Sequence, residues 1–158
     1  MAESRRIVVT LDSVLESVDL AEGVALSVCE AAGFDEEDRH KIGMAVREGV
    51  INALQYGNQM SPDKTVRLTL ALEPDRLRIR VLDQGPGFDL AEVPDPLAEE
   101  NLLKASGRGI LLMRSFMDDF GVERAPEGGA EISMSRLYPA ARSGVSGDGA
   151  QKEKEGTS

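Results

Sequence analysis

Cysteine, cationic side chains and long apolar runs are all scarce in this sequence. Cys29 is the only cysteine among the 158 residues. No disulfide can therefore form within the chain, and the reducing cytoplasm is the expected location. No apolar run reaches about 18 residues, and the N-terminal stretch lacks the hydrophobic segment of a signal peptide. We expect neither a membrane span nor a membrane partner.

The excess of acidic side chains argues against a further class of partner. The chain has 28 Asp and Glu residues against 18 Lys and Arg, which gives a net charge of −10. Proteins bind phosphate backbones through clustered Lys and Arg, so nucleic acid is not an expected partner. The length and a hydrophobic content of 41% fit one soluble domain with its own core.

The stretch from residue 43 to residue 58, GMAVREGVINALQYGN, predicts a helix with one buried and one polar stripe. Its apolar positions recur three and four residues apart and should face the core: Ile42, Ala45, Val46, Gly49, Val50, Ala53 and Leu54. Glu48 and Asn52 lie on a different stripe, one helical turn apart. The amide oxygen of Asn52 suits the oxygen shell of Mg²⁺, and the carboxylate of Glu48 suits a general base. The alternative is that both residues belong to a solvated helix face.

Apolar periodicity and turn residues divide the rest of the chain into strands and helices. A first helix should run from Ser13 to Ala32 and stop at Gly33, with Val14 among the residues that face inward. The expected strands are 5–11, 65–73, 76–82, 120–124 and 130–138, and a third helix should follow residue 107. A one-sided antiparallel sheet with three helices on its apolar face is a two-layer α+β fold. Residues 1–139 should form this domain, and residues 140–158, with almost nothing apolar, should form a disordered tail.

A glycine-rich segment, DQGPGFD at residues 83–89, follows the second strand of the predicted central hairpin. Gly85 and Gly87 allow the backbone to adopt positive φ and to approach a ligand closely. The carboxylate of Asp83, an acceptor only, suits an exocyclic amine such as N6 of adenine. A glycine-containing hairpin turn is the alternative interpretation, because a single glycine motif has little specificity.

A second glycine motif, Gly107-Arg108-Gly109, opens the third predicted helix. Backbone N–H groups and the positive end of the helix dipole would favour an anion there, and Arg108 could add a contact to phosphate. The polar segment 90–106 is long enough to be a lid that carries Lys104 over a bound ligand. The alternative is an ordinary glycine-rich helix start. Neither motif fits the P-loop or Rossmann pattern.

The three motifs, in this order, resemble the boxes of the GHKL ATP-binding superfamily. Glu48 and Asn52 resemble its N box, DQGPGFD its G1 box and GRGI at 107–110 its G2 box. EGVINALQYGN, LDQGPGFD and GRGILLMRSFMDDF most resemble anti-sigma-factor serine/threonine kinases of bacterial partner switching. The resemblance covers roughly residues 5–138.

The resemblance implies the Bergerat ATP-binding fold, a two-layer α/β sandwich with a mixed, mostly antiparallel sheet. It implies that ATP and Mg²⁺ are cofactors, that Asn52 ligates the metal and that Glu48 is the general base. The other nucleotide contacts that it implies are Asp83 to adenine, Gly85 and Gly87 around the base, and Gly107, Arg108 and Gly109 around the phosphates. Implied partners are a small antagonist protein phosphorylated on serine or threonine, a sigma factor, and a second copy of the chain in a homodimer.

Two positions depart from the pattern, and three other functions compete. Tyr56 stands where many members have histidine, and Arg47 stands where a small polar residue is common. A sensor histidine kinase would need a phosphoacceptor histidine on a dimerisation helix, and the single histidine, His40, lacks the acidic neighbour of such a site. A topoisomerase, chaperone or mismatch-repair ATPase would need a transducer domain, for which the chain has no room. The remaining alternative is an ATP-binding regulatory module without kinase activity.

Overall fold

The structure, a computed structural model, describes residues 5–86 and 105–142, without the side chains of residues 105–107. Its strands are β1 (Arg5–Asp12), β2 (Thr65–Leu72), β3 (Arg76–Leu82), β4 (Asp119–Arg124) and β5 (Ala130–Leu137). Its helices are α1 (Glu16–Ala31), α2 (Glu36–Asn52) and α3 (Ala105–Phe116), and α2 continues into one π-helical turn, Ala53–Gly57.

The described strands form one sheet in the order β1-β2-β3-β5-β4, and every neighbouring pair is antiparallel. The register aligns Leu70 with Ile79 and Ile79 with Met134, all fully buried on one face. Successive residues of a strand alternate between faces, so this alignment gives the sheet one apolar face across its centre. The predicted two-layer α+β architecture is confirmed.

The core lies between this face and the three helices, with α2 in contact with both α1 and α3. All seven apolar positions predicted for the α2 face are buried. Burying an aliphatic side chain contributes about 1.5–3 kcal/mol, so this face stabilises α2 far more than its helix propensity does. The helix that carries Glu48 and Asn52 is thereby fixed against the sheet.

The start of α1 differs from the sequence expectation. The helix begins at Glu16, because Val14 N–H donates to Asp12 O in a turn and the Ser13 hydroxyl donates to Lys64 O. Val14, predicted to face inward, is 44% exposed, so that prediction is wrong. Ser13 and Ser17 are buried there instead, with Ser17 Oγ donating to Asp12 O. The predicted stop at Gly33 is confirmed by its φ of 88°.

Residues 138–142, on either side of the domain boundary predicted after residue 139, pack against the rest of the domain. Residues 139–142 form a helical turn after β5. The Tyr138 ring lies 5.7 Å from that of Phe34 between centroids, and its hydroxyl donates to Glu73 O. Arg142 bonds to Asp38 near the start of α2. The remainder of the predicted tail, 143–158, lies outside the described residues.

Within the described parts of the chain, no helix has both the length and the apolar character needed to cross a membrane.

Candidate functional site

Glu48 and Asn52 lie side by side on α2, and α3 crosses directly over them at Gly109. A Cβ atom built on Gly109 would lie 2.9 Å from Glu48 Oε2 and 3.2 Å from Asn52 Nδ2. Glu48 and Asn52 are half-buried, whereas Gly109 is buried. Two motifs that are more than fifty residues apart in sequence therefore meet at one point, and glycine is the residue that allows the approach.

The helical turn after Asn52 is wider than an α-helix. Asn58 N–H donates to Ala53 O at 2.8 Å, five residues back, in a π-helical turn that runs from Ala53 to Gly57. Single π turns inside helices occur frequently at functional sites. Here the widened turn brings Tyr56 and Gly57 to the wall of the cavity that Asn52 also lines.

Asp83 follows β3 and is held by backbone donors. Its Oδ1 accepts hydrogen bonds of 3.0 Å from Gly85 N–H and Ala130 N–H. Its own N–H donates to Ala130 O. The carboxylate is buried beside Gly57, where an added Cβ would lie 2.1 Å from Oδ2. A fixed carboxylate in such a place is suited to accept a hydrogen bond from a ligand amine.

Asn58 secures the loop that contains Asp83. Its Oδ1 accepts a 2.7 Å hydrogen bond from Gln84 N–H, and its Nδ2 donates to Thr65 O and to Ser13 Oγ, each at 3.0 Å. Gln84 Oε1 in turn accepts from Thr65 N–H. Asn58 is fully buried, so these bonds keep its amide group satisfied while tying the end of the π turn to the glycine loop.

Two glycines outside the predicted boxes are also required at the site. An added Cβ on Gly129, whose φ is 91°, would lie 2.1 Å from Asp83 O. Gly57 packs against Asp83 as described, and Gly85 has Gly57 O at 1.9 Å from its Cβ position. Sequence reasoning identified Gly85 but missed Gly57 and Gly129. Both glycines lie in turn-forming segments of the sequence, but that position does not indicate which residue each one contacts in the folded protein.

A cavity of about 150 Å³ opens between these elements. Its aliphatic walls are Ala53, Val81, Ile110, Val122, Ala130 and Ile132. Asn52, Tyr56 and Asp83 contribute polar atoms, and Tyr56 is 49% exposed. Apolar walls with a few fixed polar groups are typical of small-molecule sites. A flat heteroaromatic ring with an amino group fits this combination of aliphatic walls and a buried carboxylate.

The remaining predicted site residues differ in how far the structure describes them. Gly107 lies in the first turn of α3, which begins at Ala105, and the Arg108 side chain that follows is exposed. Backbone N–H groups of a first helical turn lack intrahelical partners, so this turn is suited to an anion. Gly87, Lys104 and the predicted lid up to residue 104 lie outside the described residues, whereas residues 105 and 106, also assigned to the lid, begin α3.

Arg47, one of the two departures, bonds to α1. Its Nη1 donates to Asp19 Oδ1 at 2.7 Å and to Glu22 Oε1 at 3.0 Å. The hydrogen bond to Asp19 raises the pKa of Arg47, with a further contribution from Glu22 that burial partly opposes. The guanidinium of Arg47 thus links α2 to α1. Although Arg47 directly precedes Glu48 in the chain, its hydrogen bonds are to α1 and leave the contacts of the site unchanged.

The residues present fit a magnesium–nucleotide better than a metal bound by protein alone. Among the described residues, no group of three or more His, Cys, Asp or Glu side chains could hold a metal ion. Mg²⁺ in nucleotide sites commonly takes one or two protein oxygens, and phosphates and water supply the rest. Asn52 Oδ1, with Glu48 nearby, offers such a partial oxygen set beside Gly109 of α3.

A family model of the histidine kinase-like ATPase domain matches residues 11–136. The chain belongs to this family. The match contains all three motifs, and the predicted membership of the GHKL group is confirmed. An ATPase domain implies that the chain binds ATP.

Curated relatives of this histidine kinase-like ATPase domain include several anti-sigma F factors. The protein of that name from Bacillus licheniformis is 33% identical over 98 residues, which cover 61% of this chain and 67% of the relative. The one from Bacillus subtilis strain 168 is 32% identical over the same length and coverage. The one from Clostridium beijerinckii is 25% identical over 132 residues, covering 78% of this chain and 92% of the relative.

Solved structures share the fold at low sequence identity. The RsbU and RsbW domains of Rv1364c from Mycobacterium tuberculosis give a TM-score of 0.57 at 19% identity, covering 84% of this chain. This chain spans about a third of that protein, 32%. The catalytic domain of histidine kinase ThkA gives a TM-score of 0.56 at 13% identity, covering 87% of this chain and 99% of ThkA's. These similarities support the α+β fold.

Proposed function

We propose that this ATPase domain is a protein serine/threonine kinase and anti-sigma factor of a bacterial partner-switching system. It transfers phosphate from Mg-ATP to a small antagonist protein and binds a sigma factor when that antagonist is unavailable. The observation that carries the proposal is the meeting of Glu48, Asn52 and Gly109 next to a cavity that contains the Asp83 carboxylate. The similarity to anti-sigma F factors supports the choice of partners.

The described residues divide the work of holding the nucleotide. Asp83 accepts a hydrogen bond from the adenine amine, and the aliphatic walls of the cavity bury the ring. The first turn of α3 and Arg108 face the phosphates. Asn52 would supply one oxygen ligand to Mg²⁺, and the bound metal would neutralise phosphate charge.

Glu48 is the proposed catalytic residue. Its carboxylate would orient the hydroxyl of the acceptor side chain and take its proton as the bond from that oxygen to the γ-phosphorus forms. The bond from the γ-phosphorus to the bridging oxygen of the β-phosphate breaks at the same time, and ADP leaves. The position of Glu48 beside Asn52 suits this task, since both side chains lie where α3 crosses α2 at Gly109. Phosphoryl transfer depends mostly on positioning and charge neutralisation, so loss of Asn52 should reduce transfer at least as strongly as loss of Glu48.

Two assays test this function. Calorimetric titration with ATP in the presence and absence of Mg²⁺ should give binding that strengthens with the metal, and Asn52→Ala should remove that difference. Transfer of labelled γ-phosphate to a candidate antagonist should disappear in Glu48→Gln while nucleotide binding persists. Glu37→Gln is the matched control, because Glu37 lies exposed on the same helix and pairs with Lys41. Absence of ATP and ADP binding by the folded wild type would refute the proposal.

The alternative is an ATP-binding regulatory module that acts by protein contact alone. The names of the curated relatives favour keeping it, since "anti-sigma F factor" describes binding and not phosphate transfer. It predicts that wild type and Glu48→Gln hold a sigma factor equally well and that neither transfers phosphate. Either function is proposed to operate in the cytoplasm as a homodimer, which sedimentation of the purified chain would test.

A further inference from the structure

A buried cluster of charges joins the ends of α2 and α3 that lie away from the nucleotide site. Arg136, on β5, donates from Nη2 to Asp38 Oδ1 at 2.6 Å and from Nη1 to the backbone carbonyl of Phe116, the last residue of α3. Arg136 is 9% exposed and Asp38 is 5% exposed. We call this bridge from Asp38 through Arg136 to the Phe116 carbonyl the clasp.

Arg142 also bonds to Asp38. Its guanidinium donates to both carboxylate oxygens of Asp38. Burial alone would raise the pKa of Asp38, but the hydrogen bonds from Arg142 and Arg136 outweigh it and hold the pKa below its ordinary value. Asp38 is therefore ionised at neutral pH, and Arg136 links it to the backbone carbonyl at the end of α3.

Stability alone is a poor explanation for such a cluster. Taking charges out of water costs several kcal/mol per ion, and apolar residues of similar size often serve the fold as well or better. What a guanidinium adds is geometry, because its planar fork fixes two acceptors at a set spacing. In the clasp those acceptors belong to two different helices.

The same two helices meet again at the nucleotide site. Asp38 and Phe116 lie at one end, an added Cβ on Gly49 would lie 3.6 Å from Met113 Sδ farther along, and Gly109 faces Glu48 at the other end. The pair is thus antiparallel. Ten residues of α2 separate Asp38 from Glu48, or about 15 Å of helix. A rigid helix transmits a change at one end to the other over such a length.

We propose that Arg136 is a positioning residue that sets the separation between Gly109 of α3 and the Glu48–Asn52 pair of α2. It does so by anchoring the C-terminal end of α3 to the N-terminal end of α2. The consequence for phosphate binding rests on the proposed function, but the separation itself is a property of the nucleotide-free protein. Both can be measured.

The experiment compares four variants with wild type. Arg136→Met removes the bridge with little change in volume. Arg142→Met removes the other partner of Asp38 and leaves the hydrogen bond from Arg136 to the Phe116 carbonyl in place. Arg78→Met removes an arginine that pairs with Glu73 and Asp119 away from the two helices. Val28→Ala shortens a buried core side chain on α1 and is a control for general destabilisation.

Hydrogen exchange of the amides at residues 108–114 is measured first, without nucleotide. Arg136→Met should speed their exchange about tenfold or more beyond any change in global unfolding, and the other three variants should not. ADP and Mg-ATP titrations follow on protein shown to be folded. Arg136→Met should weaken affinity about tenfold, whereas Val28→Ala at a comparable loss of stability should leave it unchanged.

Equal exchange in α3 and equal affinity for wild type and Arg136→Met would overturn the proposal, as would equal effects from Arg136→Met and Val28→Ala. If wild type binds no nucleotide, the proposed function fails, and the exchange rates still decide whether the clasp positions α3. If Arg136→Met does not fold, Arg136→Lys replaces it. A lysine keeps the charge but cannot span both acceptors as a planar fork, so it should give the same pattern at smaller amplitude.

Discussion

Gly109 on α3 faces Glu48 on α2 so closely that a methyl group in place of its hydrogen would lie 2.9 Å from Glu48 Oε2. The contact is to the end of a flexible side chain, so a larger residue can be accommodated by turning Glu48 away. The fold tolerates that change more easily than the proposed chemistry, which needs Glu48 and Asn52 in a fixed arrangement.

Gly109→Ala should therefore weaken Mg-ATP binding about tenfold while changing stability little. Gly23→Ala is the matched control, because Gly23 also lies within a helix but has nothing within 4 Å of its Cβ position. Replacing helical glycine by alanine stabilises by up to about 1 kcal/mol, so Gly23→Ala should unfold at higher urea and bind ATP like wild type. Unaltered ATP affinity in Gly109→Ala would mean that Glu48 and Asn52 need not keep their present positions.

Gly128 and Gly129 offer a second comparison, in the turn between β4 and β5. Both have positive φ, 97° and 91°, but only Gly129 has an atom of Asp83 at its Cβ position. Gly128→Ala should cost about 1–2 kcal/mol of unfolding free energy, the strain of a left-handed residue. Gly129→Ala should cost about 3 kcal/mol or more and also abolish ATP binding, since the Asp83 backbone must move. Urea unfolding measures the stability of both variants, and calorimetric titration measures their ATP binding. Equal losses of stability and of ATP binding in the two variants would contradict the prediction.

The pH dependence of stability should reveal the ionised state of Asp38. Its pKa is held below the ordinary value of about 3.9 in the folded state, so its contribution is present above that pH and lost as pH falls through the folded pKa. Asp38→Asn should cost about 3–5 kcal/mol near neutral pH, with the difference from wild type shrinking below about pH 4.

Asp75 provides the control for that measurement. A hydrogen bond from Arg76 also lowers the pKa of Asp75, but this carboxylate is solvent-exposed. Asp75→Asn should leave stability unchanged across the same pH range, because exposed ion pairs contribute little. Unfolding curves from neutral to acid pH separate the two variants. A pH-independent difference between wild type and Asp38→Asn would show that Asp38 does not act through its charge.

Cys29 should report on opening of the fold. Burial raises the pKa of this thiol to about 12, while the charge of Arg39 lowers it by a smaller amount and that of Asp38 adds to the increase. At about pH 8 the native protein should react with a thiol reagent only through unfolding, because thiolate and access are both lacking. ATP should slow labelling by stabilising the native state, and Glu48→Gln should preserve that protection. Fast labelling of native protein, indifferent to ATP, would contradict this prediction.

Local patterns in the sequence were sufficient for the elements and for part of the site. The buried stripe of α2, the hairpin of β2 and β3, and the stop at Gly33 each follow from residues close together in the chain. The joining of Glu48 and Asn52 to Gly109 was predicted only through the family resemblance, since the spacing within one helix says nothing of the helix across it.

Long-range contacts account for what the sequence did not predict. Asp38 lies among the acidic residues in the first turn of α2, yet its partners Arg136 and Arg142 lie 98 and 104 residues away. Val14 fits the apolar period of α1, but the bond from Ser13 to Lys64 starts the helix later. Gly57 is required by Asp83, 26 residues on, through a contact that no local motif encodes.

The position of β5 affects how the protein folds during its synthesis. It is the last described strand in the chain, yet it lies inside the sheet, between β3 and β4. A nascent chain that has left the ribosome only as far as β4 lacks the strand that joins the two parts of the sheet. The apolar surface of the nascent chain therefore remains exposed to chaperones and prone to aggregation until β5 has been synthesised.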